Sequence, residues 1–323
     1  MIPLRDTSRS ETYPLINNII IGINVLVFLI QPPFGRGFHE FMYTYGLVPA
    51  RYSVPEIAAY FTVGQQVLPF LTFMFLHGGL LHLVGNVWFL YIFGDNVEDH
   101  LGHFRYLFFY LLCGWASGCA HLALNWHAKI PTIGASGAIA GVMGAYWILY
   151  PKARVLTLVP IFFLPYFVEI PAFLFLGIWL LFQFLSAAGP AAQMGGIAWW
   201  AHIGGFIFGI VFLKLFQLVP ELGADKRVRG LTRKRRSPRL HMVRPVSLGD
   251  DPDLHGVIVV SGREASSGAR KLVNIMHGRD RRTFSVRIPP GVSGGSKLRL
   301  RGLGRHMPDG TRGDLYLQVE IRE

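Results

Sequence analysis

The sequence is poor in charged residues. Asp, Glu, Lys and Arg together make up 15% of its 323 residues, whereas soluble domains carry about 25%. Hydrophobic residues account for 51% of the chain, and the mean hydropathy is +0.38. This composition excludes a wholly water-soluble protein and is typical of a chain with several apolar segments in a membrane.

Net charge is absent from the first two thirds of the chain. Residues 1–222 contain nine Lys/Arg and nine Asp/Glu, so their net charge is zero. Residues 223–323 contain 22 Lys/Arg and ten Asp/Glu, and therefore hold the whole net charge of +12. This asymmetry predicts two regions with different surroundings, a membrane part followed by a basic part that faces water.

The chain is also poor in cysteine, with only Cys113 and Cys119. Their spacing places them on different faces of a helix, so we do not expect a disulfide between them. As buried thiols they indicate no particular redox compartment. The first apolar run lacks a small-residue cleavage site, which argues against a cleaved signal peptide and predicts a retained helix.

Six apolar runs are predicted to be membrane-spanning helices. They cover approximately residues 17–30, 78–93, 104–124, 134–150, 172–187 and 199–218. The segment 32–68 is predicted to be a long non-helical connection that binds a ligand or lies in the membrane interface. The proline-broken segment 155–171 is compatible with either a loop or a helix.

Six crossings place both termini on the same side of the membrane. The basic tail, together with Lys152 and Arg154, identifies that side as the cytoplasm by the positive-inside rule, with Arg36, Arg51 and Lys129 as exceptions. The first turns of the second, fourth and sixth runs then share the outer half of the bundle. The expected location is a bacterial inner membrane with both termini cytoplasmic.

The predicted fold is an all-α membrane protein, a six-transmembrane-helix bundle over residues 1–222, followed by a basic linker over 223–250 and a small β-sandwich-like cytoplasmic domain over 251–323. Gly/Pro turns and alternating apolar residues predict short strands in the last domain: Val257, Val259, Phe284, Val286, Ile288, Leu298, Leu300, Leu315, Leu317, Val319 and Ile321. We expect the basic stretch to contact anionic lipid. Nucleic-acid binding is disfavoured because aromatic residues do not alternate with its cations.

One hydroxyl stands at the start of the fourth run. Ser136 lies in the first turn of a helix that has no charged residue from Gly134 to Tyr150. Unpaired N–H groups and the positive end of the helix dipole favour an oxyanion there. The serine is either a helix cap or a nucleophile, which requires a base. His202, in the first turn of the sixth run, is the candidate base, and small residues on both helices permit a close approach.

His82 and Asn86 lie one turn apart on the second run and share a helix face. They are either hydrogen-bond partners between helices or, together with the Ser136 backbone N–H, donors to the oxyanion of a tetrahedral intermediate. No carboxylate lies in the outer-half cluster, which predicts a Ser–His dyad rather than a triad.

Three separated motifs resemble those of the rhomboid family of intramembrane serine proteases: His82-x-x-x-Asn86, Gly134-Ala-Ser136-Gly137 and Ala201-His202-x-x-Gly205. The resemblance covers about residues 10–220 and includes Gly-Leu-Val-Pro at 46–49, Glu98 and Gly102. One departure is Leu68-Pro69, nine residues before His77, where some members carry Trp-Arg. This difference affects the anchoring of the first loop rather than the chemistry.

This resemblance implies that Ser136 is the nucleophile and His202 the general base. It also implies an oxyanion hole formed by His82, Asn86 and the Ser136 amide, with His77 and Gly134 as structural or site-lining residues. The substrates of the family are transmembrane segments, which are cut near their outer end where small residues and helix-weakening sequence let them unwind. The reaction requires water but no metal or cofactor.

The tail resembles the C-terminal β-domain of the DnaJ (Hsp40) chaperones over about residues 255–323. The similar stretches are Val286 to Val292, Gly295 to Gly304 and Gly313-Asp314-Leu-Tyr316 to Val319. The sequence has no J-domain His-Pro-Asp motif and no Cys-x-x-Cys repeats, so recruitment of an Hsp70 is not implied. In that family the domain binds extended peptide or further copies of itself.

Two other functions are compatible with parts of this pattern. A catalytically silent membrane adaptor would bind transmembrane helices and present a peptide-binding tail, but the intact Ser136/His202 pair argues against it. A transporter is disfavoured, because the intramembrane polar residues cluster near one face and no pair of broken helices recurs in the two halves.

Overall fold

In the computed structural model, the chain divides into two compact units, Met1–Lys234 and Arg235–Glu323, each described here by itself. The structure describes residues 1–8, 10–161, 164–189, 198–220, 223–234, 240–243, 245–247, 251–277, 280–307 and 310–322. Half of the basic run at 233–236 therefore lies outside the described residues.

The first unit is mainly helical. Its helices are α1 (Leu15–Ile30), α2 (Arg36–Tyr45), α3 (Ala50–Ser53), α4 (Pro55–Ala58), α5 (Val63–Val67), α6 (Pro69–Thr72), α7 (Leu80–Leu101), α8 (His103–Leu124), α9 (Ser136–Leu149), α10 (Ala172–Ala188), α11 (Trp199–Leu218) and α12 (Gly223–Thr232). A short 3-10 helix at Phe73–Phe75 precedes α7.

Six of these helices, α1 and α7 to α11, begin and end close to the predicted spans, although α7 continues for eight residues beyond the predicted Phe93. By length and composition, α8 and α11 can cross a membrane, and the bent pair Val63–Phe75 and Leu80–Leu101 adds a third candidate. The helices α1, α9 and α10 are apolar but shorter. The described residues thus hold two or three candidate spans, and the six-span bundle stays a prediction.

The prediction of a non-helical connection over residues 32–68 is wrong. The segment holds α2, α3, α4 and α5, and α6 starts directly after it. Local signals explain these short helices: Thr62 and Gln65 form a capping box at the start of α5, and Pro55 and Pro69 occupy first helical positions, where proline costs no hydrogen bond.

The first unit is also not all-α. Strand β1 (Ile2–Asp6) pairs antiparallel with β2 (Arg154–Ile161), which pairs antiparallel with β3 (Leu164–Pro171). Segment 155–171, for which the sequence left loop and helix open, is therefore a hairpin. This hairpin connects the end of α9 to the start of α10, and β3 forms an open edge of the three-stranded sheet.

The last residue of β1, Asp6, accepts hydrogen bonds from side chains on α7 and α9. The Tyr146 hydroxyl donates to Asp6 Oδ2 at 2.5 Å, and Asn96 Nδ2 donates to the same oxygen at 3.0 Å. Partial burial raises the pKa of Asp6 to about 6, the hydrogen bond from Tyr146 opposes that rise, and the nearby Asp95 adds to it. The Asp6 carboxyl therefore holds its proton more tightly in the folded protein than in the unfolded chain.

This shift of the Asp6 pKa predicts a pH-dependent stability. Because the pKa is about 6 in the folded protein and 3.8 for an unperturbed aspartate, the contribution of this group to the free energy of unfolding falls as the pH rises through that interval, and it stays low above it. We expect the Asp6→Asn variant, which keeps an oxygen for Tyr146, to have a melting temperature closer to that of the wild type at pH 4 than at pH 7. At pH 7 the variant gains stability relative to the wild type. Thermal melts of both proteins in detergent at each pH measure this difference. A melting-temperature difference that is constant across pH would contradict it.

Buried polar contacts join the helix ends at the side of the bundle opposite Ser136. The Glu98 carboxylate, in the last turn of α7, accepts from the N–H groups of Ile16 and Asn17 at 2.9 and 2.7 Å. It thereby satisfies the unpaired donors at the start of α1. Glu98 also contacts His103 Nδ1 at the start of α8.

The predicted basic linker over 223–250 begins with a folded helix, so its first part is not a free linker. Asp225 on α12 accepts from the Phe104 N–H at 3.0 Å and so caps α8. At the other end of α12, Thr232 Oγ1 lies 2.8 Å from His103 Nε2, and Arg229 Nη2 donates to the Asp99 carbonyl at 2.9 Å. The helix α12 thus belongs to the first unit.

These contacts predict that two truncations differ in stability. A chain that ends at Lys234 keeps α12, whereas a chain that ends at Pro220 removes Asp225 and Thr232, the partners of Phe104 and His103. Because a buried group left without its partner costs about 1–3 kcal/mol, we expect the shorter chain to melt at a clearly lower temperature. Equal melting temperatures of the two purified truncations would show that α12 contributes no stability.

The helices α9 and α11 pack at backbone contact. A Cβ atom on Gly205 would lie 2.1 Å from the Gly137 carbonyl oxygen, and one on Gly209 would lie 2.1 Å from that of Gly141. On the other helix, a Cβ on Gly144 would lie 2.2 Å from the Phe206 carbonyl oxygen. Only glycine permits this approach, which sets the distance between the first turns of the two helices.

The second unit is rich in strands, which confirms the predicted β-structure of this region. Its elements are β4 (Leu240–Val243), β5 (Val246–Ser247), β6 (Leu254–Val260), α13 (Gly262–Ser267), β7 (Ala269–His277), β8 (Asp280–Ile288), β9 (Lys297–Leu300) and β10 (Leu315–Ile321). The sheets β5-β6-β10-β9 and β4-β7-β8 share one apolar core. In β6 the buried residues are Leu254, Ile258 and Val260, whereas Val257 is half exposed. This strand is apolar on both faces, so its sequence does not indicate which face is inside.

Candidate active site

Ser136 is the first residue of α9, and its side chain does not cap the helix. The cap position is Ala135, and no side chain caps α9 among the residues that the structure describes. Gly134, two residues earlier, has a φ of +118°, a conformation that favours glycine. The Gly134 N–H donates to the Phe73 carbonyl at 2.8 Å, which anchors the turn that presents the hydroxyl.

The structure brings Ser136 and His202 into hydrogen-bond contact. His202 lies in the first turn of α11, and its Nε2 is 2.7 Å from Ser136 Oγ. The glycine contacts between α9 and α11 bring the two backbones close enough for these short side chains to meet. An imidazole nitrogen at this distance can accept the proton of the hydroxyl.

A residue from a third helix contacts the other side of the imidazole, and the sequence reasoning missed it. Gln183 on α10 places its Oε1 2.8 Å from His202 Nδ1. The predicted Ser–His dyad rests on the lack of a carboxylate in the outer-half cluster, whereas Gln183 is an amide. The available signal was an amide within a helix otherwise composed almost entirely of apolar residues, since a buried polar group requires a partner.

His82 lies next to the turn before Ser136. A Cβ atom on Gly134 would lie 2.8 Å from His82 Nε2 and 3.7 Å from Ser136 Oγ, so the imidazole and the hydroxyl flank the same glycine. The Gly78 N–H donates to His82 Nδ1 at 3.3 Å. Because Nδ1 accepts, the proton of a neutral His82 is on Nε2, the nitrogen that faces Gly134.

Asn86 is placed on the same face but is already engaged. Its Nδ2 donates to the carbonyl oxygen of His82 at 2.9 Å, which leaves one amide hydrogen for another acceptor. His77 is fully buried behind the site, where its ring meets that of His82 edge to face at 5.2 Å. His77 thus supports the position of His82.

A cavity of about 780 Å³ opens onto these side chains. Its polar lining includes Ser136, His202, His82 and Asn86, so the structure brings four of the five predicted site residues to one cavity, with Gly134 beside them. Its apolar walls come from α7, α9 and α10 and include Phe89, Ile139, Met143 and Trp179. The site combines a hydroxyl, a base and nearby donors with an apolar surface, an arrangement suited to acyl transfer.

Two parts of the chain match known families. Residues 64–217 match the Rhomboid domain, and residues 254–323 match the DnaJ C terminal domain. The chain therefore combines a rhomboid domain with a DnaJ C-terminal domain, as the sequence motifs indicate. With its apolar helices, it is a multi-pass membrane protein.

Individual relatives support both parts. The chain is 29% identical over 173 residues to "RHOMBOID-like protein 6, mitochondrial" of Arabidopsis thaliana (50% of this chain, 48% of the relative). It is 29% identical over 204 residues to "Rhomboid protein 1, mitochondrial" of Saccharomyces cerevisiae (60% and 51%). The tail is 41% identical over 69 residues to "Chaperone protein DnaJ" of Xylella fastidiosa (21% and 17%). The chain thus spans about half the length of the rhomboid relatives and a sixth of the chaperone.

Proposed function

We propose that the first unit is an intramembrane serine endopeptidase that cleaves transmembrane segments of other proteins. The observation that carries this proposal is the 2.7 Å contact between Ser136 Oγ and His202 Nε2 at an otherwise apolar cavity. A serine hydroxyl is a weak nucleophile at neutral pH until a positioned base accepts its proton. His202 is that base.

In the proposed reaction, Ser136 Oγ attacks the carbonyl carbon of the scissile peptide bond while its proton moves to His202 Nε2. The tetrahedral intermediate then collapses, the C–N bond breaks, and the new amine takes the proton from His202. The acyl group remains on Ser136 as an ester. Water, deprotonated by His202, hydrolyses that ester and regenerates the hydroxyl.

The oxyanion of the intermediate requires donors. The N–H group of Ser136 is at the N-terminus of α9, where the helix has no internal acceptor for it. His82 Nε2–H faces the same side, since its Nδ1 is occupied by the Gly78 N–H. The remaining amide hydrogen of Asn86 is a third candidate. We propose that His82, Asn86 and Ser136 form the oxyanion hole, with Gly134 lining it.

The length of α9 supports a site below the membrane surface. Fourteen residues span roughly 21 Å at 1.5 Å per residue, whereas the hydrocarbon core is roughly 30 Å thick. Lys152 and Arg154 follow α9 directly and favour the cytoplasmic surface for that end. With that end at the surface, Ser136 lies within the outer leaflet, where it meets the outer part of a substrate helix.

We propose that α1 and α7 to α11 are six spans and that both termini face the cytoplasm of a bacterial inner membrane. The basic charge of the tail supports this orientation. The rhomboid relatives named above carry mitochondrial names, and a mitochondrial inner membrane is the other location that the same topology fits.

We also propose that the second unit binds an extended peptide or a second copy of itself, as its DnaJ-type fold favours. The strand β8 is an edge of its sheet, and an edge strand can accept a further strand. Because the Ser136 site belongs to the first unit, we expect a chain that ends at Lys234 to cleave a model substrate within a few-fold of the whole chain.

The proposed activity is tested with the purified protein in detergent. The wild type and Ser136→Ala are compared for cleavage of a model transmembrane substrate and for labelling by a fluorophosphonate, which reacts with an activated serine. We expect the wild type alone to cleave and to be labelled at Ser136. A folded wild type that is neither cleaving nor labelled would refute the peptidase and favour a silent adaptor, which retains substrate helices in co-purification.

A further inference from the structure

Gln183 stands out in α10 because its polar group is buried among apolar residues. Only 6% of the residue is exposed, and Ser186 is the other polar residue of this 17-residue helix. An amide removed from water is costly unless its hydrogen-bonding groups are satisfied. Its contacts therefore indicate why a helix of this kind carries it.

Both ends of this amide are engaged, and together they determine its orientation. The Nε2 group donates to the Trp179 carbonyl oxygen at 3.3 Å, an atom that can only accept. The amide oxygen Oε1 is thereby turned to His202 Nδ1 at 2.8 Å. Because an amide oxygen cannot donate, Nδ1 must carry the proton in this contact.

The proton on Nδ1 fixes the chemistry of the other ring nitrogen. A neutral imidazole with its proton on Nδ1 presents a lone pair on Nε2, the atom 2.7 Å from Ser136 Oγ. The opposite tautomer would place a donor there and could not accept the hydroxyl proton. The Trp179 ring lies beside the His202 ring at 5.9 Å and restricts its rotation.

We propose that Gln183 is a positioning residue that completes a Ser136–His202–Gln183 triad, in which an uncharged amide takes the place of an orienting carboxylate. This inference rests on the proposed peptidase function. Gln183 holds His202 in the tautomer and ring orientation that accept the serine proton, and its carbonyl dipole stabilises the imidazolium that forms. It does not itself exchange a proton.

The test uses the whole chain with three variants. Gln183→Met keeps the approximate volume of the side chain and removes the acceptor, Gln183→Glu keeps an oxygen acceptor, and Ser186→Ala is the control on the same helix. We expect Gln183→Met to lower kcat about 10- to 100-fold, as the loss of one hydrogen bond to a charged group predicts, with KM within about twofold. Gln183→Glu should recover part of that loss, and Ser186→Ala should behave as wild type.

A spectroscopic readout separates positioning from packing. The ¹⁵N shifts of the His202 ring, assigned by comparison with His202→Ala, should show the Nδ1–H tautomer in the wild type and a mixture of tautomers in Gln183→Met. A wild-type His202 protonated on Nε2, an unchanged kcat in Gln183→Met, or equal losses in the Met and Glu variants would each overturn the proposal. This tautomer measurement needs no substrate. If the wild type neither cleaves nor is labelled, the peptidase fails, while the ring nitrogens still decide whether Gln183 orients His202.

Discussion

Replacing His202 with alanine is expected to slow substrate cleavage on the order of 10⁴-fold or more, the range seen when a serine hydrolase loses its base. The reason is the contact between His202 Nε2 and Ser136 Oγ, which is the proposed route for the serine proton. Single-turnover cleavage in detergent measures the chemical step. Labelling of Ser136 by the fluorophosphonate should slow in parallel, because the same proton must leave.

The double variant Ser136→Ala/His202→Ala sharpens this prediction. If the two residues act as one unit, the double variant should be no slower than either single variant. His127→Ala is the matched control, since His127 is an exposed histidine outside the cavity, and it should retain the wild-type rate within about twofold. Losses that multiply in the double variant would show that the two side chains contribute independently.

The second large effect is expected from a single methyl group between α9 and α11. In Gly205→Ala the new Cβ would lie 2.1 Å from the Gly137 carbonyl oxygen, a backbone atom that cannot rotate away. The helices must separate, which we expect to destabilise the bundle by about 1–3 kcal/mol. Because α11 carries His202, the same separation lengthens its contact with Ser136, and cleavage should fall even where the variant is folded.

Gly177→Ala is the control for this prediction. Gly177 lies on α10, and apart from its chain neighbours and the backbone of its own helix no atom lies within 4 Å of the position its Cβ would take. The added methyl group should leave stability unchanged or raise it by up to about 1 kcal/mol, since alanine favours helix over glycine. Thermal melts of the two variants give the comparison. Equal stability of Gly205→Ala and Gly177→Ala would show that the bundle tolerates wider helix spacing.

The long apolar helices, α1 and α7 to α11, were readable from the sequence, whereas the short helices α2 to α5 were not. The apolar runs are long, and they end at residues that stop helices or prefer water, such as Pro32 after α1 and Tyr150-Pro151 after α9. The β-sheet of the first unit was not readable. The strand β1 finds its partner β2 about 150 residues later, and pairing at that separation leaves no local pattern. The helix α12 was not predicted, because its charged residues indicated a solvated linker.

The site was partly predictable for a physical reason. Ser136, His82 and His202 each stand out as polar groups at the starts of apolar helices, and polar groups in such segments are costly unless they have partners. Gln183 has the same signature, but it lies deep within α10 rather than in its first turn. The contact of Gln183 with His202 depends on how α10 packs against α11. The sequence alone does not specify that packing.

The open edge of β3 has a consequence for how deep this protein sits in lipid. Peptide groups that point away from β2 along that edge require water or headgroups as partners, so they cannot enter the hydrocarbon. The hairpin therefore stays at the membrane surface, at the end of α9. The length of α9 then fixes the distance between that surface and Ser136. In a thicker bilayer the serine would sit farther from the opposite surface, and mapping cut positions in vesicles with short and long acyl chains would reveal that shift.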